Sequence, residues 1–231
     1  NVWRFDINAP TTAPFLLATL KDSLGNAQPI TAAPTLGKIM SKRVIFVGTG
    51  KYLEPSDLSN TQVQSLYAIK DDNATATLIN PRTTLIQQTI TSSTSTRTGS
   101  GNAVDFSTGR GWYVDFPDTG ERTNIDFKLV QGTLLVPTIV PSSTVCSPGG
   151  YGWLNYFNYE NGNPIDSTGN VSQRYDSTIV GMNVIYINGQ PIVEIVTSSN
   201  PTPEKPATAV PFRASSGGFL KTREVWRELI P

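Results

Sequence analysis

Three carboxylates, Asp115, Asp118 and Glu121, fall within seven residues of each other and flank Pro117 and Gly120. A carboxyl pair is the equipment of glycoside hydrolysis, one group protonating the leaving oxygen while the other attacks or activates water. The same residues suit a solvated hairpin, because Asp favours turn positions, and that is the more economical reading. Asp71-Asp72-Asn73 offers oxygen ligands to a hard cation but lacks the alternating Asp spacing and distal Glu of a calcium loop, so a polar turn is expected. Asp57, in Pro55-Ser56-Asp57-Leu58, reads as a turn or cap residue. Gly48-Thr49-Gly50-Lys51 lacks the spacing and following helix of a phosphate loop and reads as a strand-ending turn. The 231 residues include no His and a single Cys, Cys146. Ser-His and Cys-His nucleophiles and imidazole metal ligation are therefore excluded. Cys146 is either a small buried residue or the partner of a cysteine outside this segment. No catalytic, cofactor-binding or metal-ligating residues are assigned, and no enzyme activity is expected.

Binding is the other chemistry on offer. Trp112, Tyr113, Tyr151, Trp153, Tyr156, Phe157 and Tyr159 are dense enough for sugar stacking or a protein hot spot. Core packing is favoured for most of them, because alternate residues of buried strands face inward. Tyr151 and Trp153, beside Gly149-Gly150 and Gly152, are expected to be exposed and are the candidate partner-binding residues. Lys+Arg and Asp+Glu are both 18, which argues against nucleic acid as a partner. No apolar run approaches the roughly 18 residues of a membrane helix.

The elements that position these residues read as strands. Thr (28) and Ser (20) make up about a fifth of the chain, while charged residues are only 16%. That composition favours a β-rich surface protein. Val44–Val47 and Leu66–Ile69 are short apolar runs closed by turns, the first of them a strand buried on both faces. Gly132–Val140 is a third run, with Pro137 confined to an edge or bulge. Trp112–Phe116 followed by Pro117-Asp118-Thr119-Gly120 is a strand and turn. Asn183–Ile187 and Pro191–Val196 around Asn188-Gly189 form the clearest hairpin, with a type I′ turn. Thr91–Gly101 is polar and low in complexity, and Ser198–Pro206 is rich in proline; both are expected as flexible loops inserted on the scaffold. Phe219–Ile230 has an approximately helical apolar spacing. The chain opens at Asn1, without Met and already in a strand, as an excerpt from a longer protein would.

Val2-Trp3-Arg4-Phe5-Asp6, Leu66-Tyr67-Ala68-Ile69-Lys70 and Leu154-Asn155-Tyr156-Phe157-Asn158 share one form, an apolar and aromatic strand that opens into a polar turn. Their starts are 64 and 88 residues apart. A plain propeller blade repeats at roughly 40–45, so long insertions are expected. Each of the four segments Val44–Val47, Leu66–Ile69, Leu154–Phe157 and the Asn188-Gly189 hairpin is expected in a separate antiparallel blade-like sheet.

NVWRFDIN, RVIFVGTGKYL with SLYAIKD, GWYVDFPDTGER, CSPGGYGWLNYFNYENGNP and REVWREL follow one another in fixed order from Asn1 to Leu229. Together they resemble the C-terminal domain of the PilY/PilC family, the tip-associated adhesins and assembly factors of bacterial type IV pili. The resemblance implies an all-β fold, part of a modified quinoprotein-like β-propeller with long inserted loops. Residues 1–231 would supply about three to four blades. It implies a non-catalytic role in pilus assembly, twitching motility and surface attachment. Minor pilins, and host-cell or surface receptors, would be the partners. The location would be the pilus tip or cell surface, reached through the periplasm or outer membrane. In the family an acidic calcium-binding loop comes just before the NVWRFD-like residues, so calcium would belong to the parent protein, upstream of Asn1. The family's W-R-E-L end is extended where the local pattern here says helix. The alternatives are a carbohydrate-binding β module and a quinone-dependent propeller dehydrogenase; the latter family uses a vicinal cysteine pair that Cys146 alone cannot supply.

Overall fold

The structure is a computed structural model describing residues 1–73, 75–142, 149–206 and 208–213. Cys146 and the Phe219–Ile230 stretch lie outside the described residues. In chain order the strands are β1 Val2–Arg4, β2 Phe15–Ala18, β3 Thr35–Ile39, β4 Lys42–Gly48, β5 Ser65–Asp71, β6 Ile86–Gln88, β7 Ile90–Ser92 and β8 Thr96–Gly99. They continue as β9 Gly111–Asp115, β10 Lys128–Val130, β11 Thr133–Val140, β12 Tyr151–Asn158, β13 Asn170–Tyr175, β14 Ile179–Ile187 and β15 Gln190–Thr197. Two 3-10 turns, Pro55–Ser59 and Pro81–Thr83, are the only helical elements among the described residues.

The strands form four sheets that stack in chain order. The pair β1-β2 comes first, then β3-β4-β5-β9-β6, then β10-β11-β12-β13-β8-β7, and last the pair β14-β15. Side chains alternate across a strand, and the alternation on β5 shows how the layers meet. Leu66 and Ala68 point into a core shared with Leu134, Val136 and Phe157 of the third sheet. Tyr67 and Ile69 point the opposite way, against Val2, Leu17 and Ala18 of the first pair. Leu135, Leu154 and Tyr156 of the third sheet likewise face Ile179, Val193 and Ile195 of the last pair. The inner strands of each central sheet are thus covered on both faces, which is why every residue of β5 and of β11 is buried. The middle core is joined by aromatic rings, with Trp112 centroids 6.5 Å from Phe46 and 6.2 Å from Phe157.

The three repeat copies fall on β1, β5 and β12, and each pairs antiparallel with a following strand, β2, β9 and β13 in turn. Two expectations need correction. Val44–Val47 and Leu66–Ile69 do not lie in separate sheets: they are neighbours, with Phe46 opposite Ala68. The strand motif marks one position within a larger sheet, of five strands around β5 and six around β12. Thr91–Gly101 is not a flexible loop either. It holds β7 and β8, and β8 pairs with β13 at the edge of the third sheet, anchored by a residue discussed below. Ser198–Pro206 forms no strand, though Glu204 exchanges both backbone bonds with Ile195.

Pro137 sits inside β11, opposite Leu154 of β12. Its neighbour Ile139 exchanges backbone bonds with Arg122 on the other side, so residue 137, two positions away, turns its nitrogen that way too. β10 has ended by then, pairing only with 133–135. The missing donor therefore faces no ladder, the local equivalent of an edge. The Asn188-Gly189 turn has φ values of 51° and 78°, as a type I′ turn requires. Nothing lies within 4 Å of a Cβ built on Gly189, so Gly189→Ala meets a conformational penalty alone. It is expected to cost about 1 kcal/mol, read as a lower urea midpoint at unchanged slope.

Candidate functional site

Sequence Asp115-Phe116-Pro117-Asp118-Thr119-Gly120-Glu121 leads from β9 towards the third sheet, and none of its carboxylates is a solvated turn residue. Each is held by an arginine from the long insertion between β5 and β9. Arg82, at the Pro81–Thr83 turn, grips Asp115 with both terminal nitrogens, Nη1 lying 2.7 Å from Oδ1. Ser65 donates to the same oxygen at 2.6 Å. Arg97, on β8, is wholly buried and donates to both oxygens of Glu121 at 2.8 and 2.7 Å. Its Nη2 also lies 2.8 Å from Asp118 Oδ2.

Around this centre the polar atoms close into a network. Glu121 accepts from the Thr138 hydroxyl at 2.6 Å. Asn155 donates to the Thr138 hydroxyl, and Ser172 donates to Asn155. Asp118 Oδ2 accepts from Trp153 Nε1 at 2.8 Å and from the Tyr151 hydroxyl at 3.0 Å. The Arg97 guanidinium lies 3.8 Å above the Trp153 ring, and Arg174 lies 4.1 Å above Tyr151. Burial would raise the Asp118 carboxyl, but Arg97 and the two aromatic donors overcome it and hold it below the usual carboxylate range. Complete burial pushes Glu121 up despite Arg97 and Thr138. The Tyr151 hydroxyl is pushed up to about 12 by burial and by its bond to Asp118.

The expected positions of Tyr151 and Trp153 are thereby revised. Trp153 is 1% exposed and its indole is spent on Asp118, so it offers no surface to a partner. Gly150 and Gly152 serve close approach. A Cβ on Gly150, where φ is 74°, would stand 2.0 Å from the Val140 carbonyl oxygen, and one on Gly152 would meet Ile179 at 2.8 Å. Tyr151 is half-buried and, with Arg174 and Asp118, forms the solvent-facing rim of the network.

Asp57 and the Gly48-Thr49-Gly50-Lys51 segment are turn residues as expected, whereas Asp71 belongs to strand β5. Asp57 caps the Pro55–Ser59 turn by accepting from the amides of Leu53 and Glu54. Gly48 ends β4, and a Cβ on Gly50 would meet Arg122 and Thr123 at 2.6 Å. Asp71 ends β5, buried and paired with Arg4 at 2.5 Å, while Asp72 is exposed and pairs with Lys42 at 2.7 Å. Arg122 went unnoticed in the sequence, yet it donates to the carbonyls of Lys51, Asp57, Asn60 and Gly120 and ties two loops together. Arg97 was hidden in the polar stretch, where one signal was present: it is the single charged residue between Thr91 and Gly101. Among the described residues no three acidic, His or Cys side chains converge as metal ligands, and the oxygens of the Asp115–Glu121 segment are taken up by arginine.

Residues 2–102 match the family model of the PilY1 β-propeller domain. The chain carries a fragment of a PilY1-type domain. It is 31% identical over 258 aligned residues, covering 99% of its length, to a type IV pilus biogenesis factor PilY1 homolog of Xylella fastidiosa. It is 33% identical over 160 residues, 57% of its length, to the type IV pilus biogenesis factor PilY1 of Pseudomonas aeruginosa. The chain spans about a fifth or less of these relatives, 20% and 14% of their lengths. No solved structure matches. The stacked sheets are open and antiparallel except for the parallel β6-β9 pair, and the match to the β-propeller domain runs from β1 through β8. It includes both arginines of the insertion and stops before the carboxylates they hold.

Proposed function

We propose that this chain is a rigid, non-catalytic part of a type IV pilus biogenesis factor, acting at the pilus tip or cell surface in pilus assembly and surface attachment. The observation that carries this reading is the PilY1 β-propeller match over residues 2–102, together with relatives named as pilus biogenesis factors along nearly the whole chain. The site geometry supports the non-catalytic part. The carboxylates with the spacing of an acid-base pair are bound to arginines, and the aromatic with the best claim to ligand stacking is buried. Minor pilins are the proposed partners, met at the rim of Tyr151, Arg174 and Asp118, where hydrogen-bonding and cationic groups reach solvent. Calcium, if it acts in the longer protein, is proposed to bind outside the residues described here. No helix among the described residues is long and apolar enough to cross a membrane.

The test is genetic and biochemical together. A strain lacking the protein is expected to lose most surface pili, and the wild-type gene restores them. Arg174→Ala is expected to reduce pili while the amount of folded protein is unchanged, because Arg174 is partly exposed and lies on the rim. Normal piliation in the deletion strain would refute the pilus reading; normal piliation with Arg174→Ala alone would refute the rim as the contact.

A further inference from the structure

We infer that the loop of residues 51–60 is a preorganised anchor that presents Tyr52 and Leu53 to an uncharged apolar depression on a partner protein. The inference deepens the proposed function and rests on it, because the loop adjoins the rim assigned there to the partner.

Three sets of bonds hold this loop in one shape. The Arg122 guanidinium, itself buried, donates to the carbonyls of Lys51 at 2.9 Å and of Asp57 and Asn60 at 2.7 Å. The buried Asp57 carboxylate accepts from the amides of Leu53 at 2.8 Å and Glu54 at 3.1 Å. The Lys51 ammonium pairs with Glu54 and lies 3.2 Å from Asp57. A buried guanidinium and a buried carboxylate each carry a desolvation cost, and both serve here to fix a surface loop. None of these bonds uses the side chain of Tyr52 or Leu53, which stand 40% and 75% exposed. Exposed apolar residues scattered singly are ordinary. Two adjacent ones on a loop held this firmly are the features that the restraints serve to position.

The surroundings fix the kind of partner. Lys51 and Arg122 are set against Glu54 and Asp57, two cations among two carboxylates, so the loop offers no net charge to a phosphate, an anionic lipid or an acidic peptide. Tyrosine is enriched among the residues that carry protein–protein binding energy, and its ring is ordered at low entropic cost. The loop also closes on the connection that bears the rim. Arg122 donates to the Gly120 carbonyl at 2.8 Å, and a Cβ on Gly120 would stand 3.2 Å from the Asn60 carbonyl oxygen. Asp118, which accepts from the Tyr151 hydroxyl, is only two residues before Gly120. An apolar pair beside a polar, cationic rim is the anatomy of a protein interface. Because the loop is ordered before contact, binding need not supply the free energy of ordering it.

The test uses the full-length protein and purified minor pilins, the partners proposed above. Leu53→Asp changes an exposed side chain. It is expected to leave the urea midpoint unchanged and to weaken pilin binding by at least about tenfold. Asp57→Ala keeps both anchors but frees the amides of Leu53 and Glu54. Their hydrogen exchange should quicken, and binding should weaken by about three- to tenfold. Binding unchanged by Leu53→Asp overturns the anchor, while the rim reading survives if Arg174→Ala weakens binding. Wild-type protein that binds no minor pilin overturns the partner and the anchor together. Asp57→Ala with quickened amides and wild-type affinity would show that preorganisation contributes nothing, and overturns the inference. So does a Leu53→Asp loss confined to phosphatidylcholine–phosphatidylglycerol vesicles, which would make a lipid surface the occupant. A Leu53→Cys thiol that resists maleimide in the native full-length protein, resolved by mass spectrometry, would mean that its own polypeptide covers the loop, and overturns it as well.

Discussion

Arg97→Ala is expected to lower stability by about 3–5 kcal/mol, the penalty for removing one member of a buried ion pair and leaving the other uncompensated. Two carboxylates would be stranded, Glu121 at 1% exposure and Asp118 beside it. The Trp153 face would lose its cation at the same time. The loss has a pH signature whose sign follows from linkage. Without Arg97, burial holds Glu121 further above its ordinary value, so that its ionisation opposes folding, and Asp118 loses the charge that helps to keep it low. That penalty is absent below the unfolded pKa near 4 and grows as pH rises through it. The deficit of Arg97→Ala relative to wild type is therefore expected to shrink between pH 7 and pH 4, read from urea midpoints across that range. A constant deficit would mean that the loss is packing alone. Arg97→Met with Glu121→Leu should recover at least half of the stability, because a buried pair exchanged for apolar groups of similar size is often neutral.

Trp112→Ala is the second large effect. The indole sits between the two central sheets, 0% exposed, against Phe46 and Phe157, and it donates to the Tyr159 carbonyl at 3.2 Å. Gly162 is fitted to it so closely that a Cβ there would meet the ring at 2.7 Å. Truncation leaves a cavity shared by two layers and an unpaired carbonyl, at an expected cost of about 3–5 kcal/mol. Trp112→Phe keeps most of the volume and should cost well under half of that. Both are read from equilibrium urea unfolding, and for Trp112→Ala also from the level of folded full-length protein in cells. Equal losses for the two variants would show that the indole hydrogen bond, and not the filled volume, carries the site.

The Arg97 and Trp112 variants separate two ways in which the sheets are joined. Trp112 belongs to the apolar contact that any stacking of two-sided sheets demands. Arg97 belongs to a polar clasp in which an insertion reaches across to hold the connection between sheets. Loss of Arg97 should therefore loosen the β7-β8 hairpin and the Asp115–Glu121 connection first, while β4, β5 and β12 keep their hydrogen-exchange protection until global unfolding.

The sequence by itself determined the strand class, the apolar strands β4, β5 and β11, the Asn188-Gly189 turn and the strand positions of the three repeat copies. Those features are written in local alternation, apolar continuity and turn chemistry, all of which act over a few residues. It also carried the ordered motifs of the pilus family. Only the tertiary structure decided what the polar residues do. Asp118 and Glu121 look like turn carboxylates because Pro117 and Gly120 stand beside them, and their fate depends on an arginine 21 and 24 residues earlier. Thr91–Gly101 looks like a loop because its own side chains bury almost nothing; its order comes from one guanidinium that finds two carboxylates and an indole in another part of the fold. Trp153 looks exposed because glycines surround it, whereas Gly150 and Gly152 are there to let Val140 and Ile179 approach. Apolar burial is specified by local pattern, since any covering layer satisfies it. A buried charge is satisfied only by particular atoms at hydrogen-bond distance, and the closing of the sheets alone brings those atoms together.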